Sequence, residues 1–199
     1  MSLQGESTRA GLPCFFVRLA GCNLRCRYCD TSRSWEPGRV VDVARLALEY
    51  RRSRAPLAEI TGGEPLLQPG FVSLARAMLK VGPVLVETNG SCDIRTVPRS
   101  AVTILDIKCP SSGSSAAMRW LNLRHLRRND EVKFVIGTRT DFDWARAVVR
   151  RYRLDRKCHA ILFSPVQPRM RPARLGAWIA EARLPVRLQI QLHKLIGVP

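Results

Sequence analysis

Short runs of apolar, β-branched residues alternate with longer amphipathic stretches along most of the chain. A run of about four to eight such residues is typical of a buried strand, whereas a longer stretch with one apolar face is typical of a surface helix. The strands predicted from this pattern are Cys14 to Leu19, Ala58 to Thr61, Val84 to Thr88, Val102 to Ile107, Glu131 to Ile136, Ala160 to Phe163 and Val186 to Ile190.

Helices are predicted in the segments between these strands. Asp42 and Asp141 each precede an amphipathic stretch, where a carboxylate oxygen can accept a hydrogen bond from an unpaired backbone N–H, so each is predicted to cap a helix. The predicted helices are Asp42 to Arg52, Gly70 to Val81, Ser115 to Arg127, Asp141 to Tyr152 and Pro172 to Ala182.

The regular order of strand and helix predicts an α/β fold built from parallel βαβ units. A doubly wound sheet and a barrel both satisfy this order, but about six units are too few for a closed eight-stranded barrel of ~250 residues. Since no linker, internal repeat or low-complexity tract interrupts the pattern, residues 1–199 are predicted to form a single domain.

The composition is that of an ordinary globular protein, with 46% hydrophobic and 25% charged residues. No apolar run reaches the ~18 residues that a membrane span requires. The first residues also lack the basic-then-apolar pattern of a secretory signal, so a cytoplasmic location is expected. In that setting the seven cysteines are expected to be thiols, metal ligands or buried residues rather than disulfides.

The formal net charge of +17 raises the possibility of a nucleic-acid-binding protein. The basic residues are scattered along the whole chain, however, and no aromatic residues are interleaved with them as in a single-strand binding platform. We therefore expect a solvated, arginine-rich surface and no direct contact with nucleic acid.

Three closely spaced cysteines are the main candidates for chemistry. Cys22, Cys26 and Cys29 follow the first predicted strand with the spacing C-x3-C-x2-C. Three thiolates are one ligand short of a zinc site, but they can hold three irons of a [4Fe-4S] cluster and leave the fourth iron open. The spacing favours the cluster, while a zinc site completed by a remote cysteine or histidine stays open as an alternative.

Polar and glycine-rich segments follow several of the other predicted strands. Thr61-Gly62-Gly63-Glu64-Pro65 follows the second strand, Glu87 to Gly90 the third, and Asp106 and Lys108 end the fourth. Because parallel strands present their carboxyl ends at one rim, these segments are expected to meet the cysteines there. Glycine would allow a ligand to approach the backbone closely.

The loop that carries the three cysteines, residues 20–31, is called the cysteine loop below. Together with Gly62-Gly63-Glu64-Pro65 it resembles the radical S-adenosylmethionine (SAM) superfamily. Five further segments make the chain similar to the 7-carboxy-7-deazaguanine synthase family within it, and they reach both ends of the chain. They are Gln4-Gly5-Glu6, Phe16 to Cys22, Cys29-Asp30-Thr31, Glu87 to Gly90 and Gln191 to Pro199.

The resemblance implies an incomplete, TIM-like βα barrel of about six parallel strands with reduced helices. It also implies a carbon–nitrogen lyase of the queuosine pathway, which converts 6-carboxy-5,6,7,8-tetrahydropterin to 7-carboxy-7-deazaguanine with loss of ammonia. In that family a 5′-deoxyadenosyl radical made from SAM removes hydrogen from C6, the six-membered ring contracts, the hydrogen is returned and SAM is reused.

The same resemblance assigns the site residues, and it assigns no catalytic side chain because SAM delivers the radical. Cys22, Cys26 and Cys29 would hold the [4Fe-4S] cluster, and Thr31 would bind Mg²⁺. The residues assigned to SAM are Tyr28, Gly63, Glu64, Asp106, Ile107, Lys108 and Gln167. Those assigned to the pterin are Gln4, Gly5, Glu6, Arg18, Thr61, His193 and, through its terminal carboxylate, Pro199.

The resemblance further implies a homodimer and a reducing partner such as flavodoxin or ferredoxin. Two other functions share some of these features. An activase that generates a glycyl radical on a partner protein would have the same cysteine spacing, and a zinc-containing nucleic-acid-binding module would use the positive charge. The chain departs from some family members in the short gap between Cys22 and Cys26, and the match does not extend past Gln167 in its segment.

Overall fold

The structure is a computed structural model, and it describes residues 1–198. Pro199, which the resemblance assigns to the pterin, lies outside the described residues. Among residues 1–198 the strands are β1 (Ser2–Leu3), β2 (Pro13–Leu19), β3 (Leu57–Gly62), β4 (Val84–Thr88), β5 (Val102–Asp106), β6 (Glu131–Ile136), β7 (Ala160–Pro165) and β8 (Arg187–Leu188). The α-helices are α1 (Val43–Ser53), α2 (Phe71–Leu79), α3 (Arg139–Tyr152), α4 (Pro172–Ala182) and α5 (Leu192–Ile196).

One sheet of eight strands forms the centre of the molecule, and its spatial order is the chain order from β1 to β8. β1 pairs antiparallel with β2, and every later neighbour pairs parallel. A sheet built by adding each strand to the same edge curves into a barrel. Here β1 and β8 remain edges, so the expected α/β fold with an incomplete barrel is confirmed, with seven strands in the parallel part rather than about six.

The two faces of the strands carry different side chains because successive residues point to opposite faces. Residues of the outer face pack beneath the helices; Ile60 and Val86, for example, lie in a core with Met78 of α2. On the inner face a small apolar cluster includes Leu57, Leu85 and Ile104.

Two residues farther along each of these strands, the inner face becomes charged. Glu59 follows Leu57 in β3, Glu87 follows Leu85 in β4, and Asp106 follows Ile104 in β5. Lys133 of β6 lies beside Asp106 in the parallel register. The barrel interior is thus apolar at its base and charged toward the carboxyl ends of the strands.

The helix predicted over Ser115 to Arg127 is wrong. The segment forms two short 3₁₀ turns, Ser115–Ala117 and Trp120–Arg124. Side-chain and backbone bonds to the loop after β4 replace helical hydrogen bonds: the buried Asn122 amide donates to Gly90 O at 3.0 Å, and Arg119 N donates to the same oxygen at 3.0 Å.

The predicted cap at Asp141 is also wrong, because α3 begins at Arg139 with Thr138 as its N-cap. Asp141 instead occupies the third helical position of a capping box, where its carboxylate accepts from Thr138 N at 3.0 Å. The cap at Asp42 is confirmed by a hydrogen bond from Ala44 N at 3.3 Å. The last strand was predicted over Val186 to Ile190 and is shorter, while β1 and α5 were not predicted.

No helix in residues 1–198 combines the length and apolarity that crossing a bilayer requires.

Candidate active site

A cavity of about 470 Å³ opens at the carboxyl ends of the parallel strands, within the size range of small-molecule sites. Most of the site residues predicted from the sequence line it. They are Gln4, Gly5, Glu6, Arg18, Cys22, Cys26, Tyr28, Cys29, Thr31, Thr61, Gly63, Asp106, Lys108, Gln167 and His193.

The glycine pair after β3 fixes the start of the cysteine loop. Gly63 N donates to Leu19 O at 2.8 Å, and Glu64 N donates to Gly21 O at 2.8 Å. A Cβ atom on Gly63 would lie 1.9 Å from Gly21 O, and Gly62 has a φ of +124°. Glycine is therefore required here so that the two loops can touch, and this contact sets the position of Cys22.

Two residues assigned to SAM do not line the cavity. Glu64 is fully buried, and its carboxylate accepts hydrogen bonds from Thr88 Oγ1 at 2.8 Å and from Asn89 N at 2.7 Å. Ile107 is also fully buried and belongs to the hydrophobic core. The structure thus places the Glu64 carboxylate in a connection between two rim loops, and the Ile107 side chain in the packing behind the rim.

The three thiols lie on the wall of the cavity with N–H and O–H groups beside them. Cys22 Sγ accepts from Leu24 N at 3.4 Å and from Asn89 Nδ2 at 3.7 Å, and Cys29 Sγ lies 3.7 Å from Thr31 Oγ1. Within residues 1–198 no three His, Cys, Asp or Glu side chains converge closely enough to share one metal ion. A [4Fe-4S] cluster needs no such convergence because each thiolate binds its own iron, and its thiolates accept hydrogen bonds, so this donor set fits a cluster.

Lys133 forms the charged floor of the cavity. Its side chain is 7% exposed, and its Nζ forms ion pairs with Glu6 at 2.9 Å, with Glu87 at short range, and with Asp106 at 3.6 Å. Burial acts to lower the pKa of Lys133, but the three carboxylates together raise it well above its ordinary value. A permanent positive charge therefore holds three carboxylates in place.

Asp106 offers one oxygen to a ligand. Its Oδ2 accepts from Lys108 Nζ at 2.8 Å, whereas its buried Oδ1 has no hydrogen-bond partner among residues 1–198. Burial opposes ionisation, yet Lys108 and Lys133 hold the pKa of Asp106 below its ordinary value. A buried carboxylate oxygen without a partner is costly, so a hydroxyl or amino group of a bound ligand would fit here.

Glu59 lies at the base of the polar layer, where Gln4 Nε2 donates to its carboxyl group at short range. The other end of the Gln4 amide accepts from Glu6 N at 3.0 Å, so this side chain is held at both ends. Burial and the neighbouring Glu87 carboxylate raise the pKa of Glu59 from 4.5 to about 8. The folded protein therefore favours the protonated form of Glu59.

Stability should consequently depend on the protonation of Glu59. The favourable contribution of the neutral carboxyl is complete below pH 4.5 and is lost as the pH rises toward 8, at about 1.4 kcal/mol per unit of pKa shift. Glutamine is neutral at every pH, so a Glu59→Gln variant should not lose this contribution. The unfolding free energy of the variant minus that of the parent, measured by urea titration, should therefore increase from pH 5 to pH 8. The exposed Glu36→Gln control should show no such gain, and a constant difference across that range for Glu59→Gln would contradict the assignment.

The C-terminal segment covers one side of the cavity. His193 packs so closely on Gly5 that a Cβ atom there would lie 1.9 Å from His193 Nδ1. Gln191 Nε2 donates to Glu6 Oε1 at 2.7 Å and to Asp30 Oδ2 at 3.1 Å. The two ends of the described chain and the cysteine loop are joined at this point.

Sequence reasoning assigned no role to Glu59 or Lys133, and it placed Glu87 at the rim without naming a ligand for it. A signal for them exists, since each is a charged residue that directly follows an apolar residue in a largely buried strand. A charge in such a place must be paired or face a cavity. The residues with which these three side chains pair lie on other strands and loops. Local sequence patterns do not reveal which of those residues come together.

Comparison with known proteins extends the similarity through the whole chain. The radical SAM superfamily model matches residues 17–107. The chain is 39% identical to the 7-carboxy-7-deazaguanine synthase of Koribacter versatilis, with all of this chain and 94% of that protein covered. It is 42% identical to the protein of that name from Chlorobaculum tepidum, with all of this chain and 91% of that protein covered. The crystal structure of QueE from Escherichia coli superposes with a TM-score of 0.77 at 25% identity, covering 97% of this chain and 92% of the other.

Proposed function

The chain belongs to the 7-carboxy-7-deazaguanine synthase family of the radical SAM superfamily, and we propose that the cavity at the rim of its sheet carries out this family's reaction with the residues described above. The protein is a radical SAM lyase of 7-deazapurine biosynthesis whose cofactors are a [4Fe-4S] cluster and SAM. Its reaction converts 6-carboxy-5,6,7,8-tetrahydropterin to 7-carboxy-7-deazaguanine with loss of ammonia.

One observation carries the residue assignment: the three thiols and the Lys133 floor line the same cavity. Cys22, Cys26 and Cys29 hold the cluster on one wall in this proposal. When bound, the cluster and SAM would supply the radical chemistry that hydrogen abstraction from C6 of the pterin requires. The protein's own part is to fix the two ligands next to each other and to exclude water from them.

The charged side chains divide between the two ligands. The free Oδ1 of Asp106 accepts a hydrogen bond from SAM. The neighbouring Lys108 forms an ion pair with the carboxylate of SAM. On the pterin side, Glu6 and Glu87 accept from ring N–H groups, since carboxylates are acceptors only. Arg18 lines the cavity, and in this proposal its guanidinium binds the pterin carboxylate.

Thr31 binds Mg²⁺ in this proposal, because a hard cation prefers oxygen ligands such as a hydroxyl. Water and substrate would supply most of the other ligands of the ion. A Thr31→Ala variant should lose most of the stimulation of product formation by Mg²⁺, measured as initial rate against Mg²⁺ concentration. Thr31→Ser keeps the oxygen and should keep the response. An identical Mg²⁺ response in Thr31→Ala would remove Thr31 from the metal site.

The proposal extends to an oligomeric state, a reductant and a compartment. The open sheet leaves edges at β1 and β8, and apolar side chains are exposed at Leu188 of β8 and at Leu195 and Ile196 of α5. We therefore propose a homodimer that covers apolar surface. An acidic flavodoxin or a ferredoxin would serve as the reductant of this basic protein. The free cysteines suit a reducing compartment such as the cytoplasm.

The test is anaerobic reconstitution with iron and sulfide, followed by incubation with reductant, SAM and the carboxytetrahydropterin. The parent protein should bind iron and form the deazaguanine acid, whereas a Cys22→Ala, Cys26→Ala, Cys29→Ala triple variant should bind no cluster and form none. An activase would leave the pterin unchanged. A colourless parent protein that holds zinc and leaves SAM intact would refute the proposal.

A further inference from the structure

Asn89 connects the end of β4 to the cysteine loop through its side-chain Nδ2, while its Oδ1 is held within its own loop. It follows β4 directly and is 8% exposed. Its Nδ2 has two hydrogens and two acceptors, Cys22 Sγ at 3.7 Å and Asn23 Oδ1 at 3.1 Å. Its Oδ1 accepts from Ser91 N at 2.9 Å, which fixes which end of the amide is the oxygen.

The backbone of Asn89 is held equally firmly. Asn89 N donates to the fully buried Glu64 carboxylate at 2.7 Å, and the same carboxylate accepts from Leu66 N at 2.9 Å. The glutamate that follows the glycine pair therefore positions Asn89, although it does not line the cavity. This network is already complete within the protein, so the N–H group stays aimed at the sulfur.

The three cysteine sulfurs receive unequal numbers of hydrogen bonds. Cys22 Sγ accepts from two N–H groups, of which Leu24 N belongs to the cysteine loop itself and Asn89 Nδ2 comes from another strand. Cys29 Sγ is in contact with the Thr31 hydroxyl alone. Among residues 1–198, the Asn89 side chain is the one donor to these sulfurs that lies outside the cysteine loop, so it can be removed without altering that loop.

We propose, on the premise that Cys22 ligates the cluster as described above, that Asn89 is a positioning residue that sets the cluster's reduction potential by donating to the Cys22 thiolate. Reduction adds one electron, supplied by the one-electron donor, and breaks no bond at Cys22. The added negative charge strengthens the N–H···S hydrogen bond, so the donor favours the reduced state and raises the potential.

The test measures the midpoint potential of the reconstituted, SAM-free holoprotein by dye-mediated titration with EPR detection. Asn89→Leu keeps the shape but removes the donor, and should disfavour the reduced state about tenfold, which is a potential lower by about 59 mV for one electron. Asn89→Asp places a negative charge at the same position and should lower the potential further. Asn129→Ala changes an exposed asparagine outside this network and should match the parent.

A second readout separates tuning from a merely structural role. In protein labelled with ¹⁵N at the asparagine side chains, the reduced cluster should show a ¹⁵N hyperfine coupling by ENDOR. The coupling should persist in Asn129→Ala and vanish in Asn89→Leu. This measurement on the parent and Asn129→Ala decides the matter even where the Asn89 variants hold too little iron for titration.

The outcomes distinguish this proposal from the assignment of the cluster ligands. A parent protein that binds no cluster refutes both. A parent that binds the cluster, with equal potentials in the parent, Asn89→Leu and Asn89→Asp, overturns the role of Asn89 alone. Absence of the ¹⁵N coupling in the parent likewise overturns it, since the N–H···S contact would then not exist in the holoprotein.

Discussion

A Lys133→Met variant should be less stable than the parent by about 3 kcal/mol or more, because removing one partner of a buried ion pair leaves uncompensated charge. Lys133 is 5% exposed, and its loss would leave Glu6 and Glu87 without the cation that holds them. The measurements are the unfolding free energy in urea and the rate of product formation, and both should fall. The activity should fall below detection, since the floor of the cavity would rearrange.

A charge-balancing second substitution separates this effect from poor packing of methionine. Lys133→Met combined with Glu87→Gln removes one cation and one anion, and should recover part of the lost stability but not the activity. Lys80→Met changes an exposed lysine and should leave both quantities unaltered. Two results together would show that Lys133 does not organise the site. They are full activity in Lys133→Met and an unfolding free energy within about 1 kcal/mol of the parent's, a change that is small for a buried residue.

A Gly63→Ala variant should lose the cluster while keeping the sheet. The new Cβ atom would lie 1.9 Å from Gly21 O and 2.5 Å from Gly21 C, which are backbone atoms that cannot rotate away. The chain before Cys22 must then shift, and a displacement of about 1 Å in a catalytic site lowers the rate about 100-fold. Iron content per chain after reconstitution and the rate of product formation test this expectation.

Gly70→Ala is the matched control, because no heavy atom lies within 4 Å of a Cβ built there. It should bind iron and form product like the parent. If Gly63→Ala also did so, the contact between the glycine pair and Gly21 would not position the cluster loop.

Much of the fold follows from local pattern. Helix α4 was predicted at its observed bounds, and so were β4 and β6, because each is a periodic or apolar segment with clear ends. The segment from Ser115 to Arg127 has helical periodicity but is bound to the loop after β4 through Asn122, and this tertiary contact overrides propensity. β1 was not predicted, because a strand of two residues is too short to show an alternation of apolar and polar positions.

The rim of the site could be predicted from the sequence, whereas its floor could not. Cys22, Gly63 and Asp106 were placed at one rim since parallel strands end together, and the structure brings them to one cavity. Lys133 lies inside a strand, and its partners Glu6 and Glu87 are remote in sequence, so their meeting depends on sheet order and register. Glu64 was assigned to SAM from the family motif, but its carboxylate is occupied by the loop after β4.

Transfer of deuterium from the pterin tests the central claim most directly. The parent holoprotein would be incubated anaerobically with reductant, SAM and pterin that carries deuterium at C6, and the recovered SAM analysed by mass spectrometry and NMR. Deuterium at the 5′ carbon of SAM, together with formation of 7-carboxy-7-deazaguanine, is the predicted result. Formation of the deazaguanine acid with no deuterium in SAM, or no reaction of the pterin at all, would contradict the account.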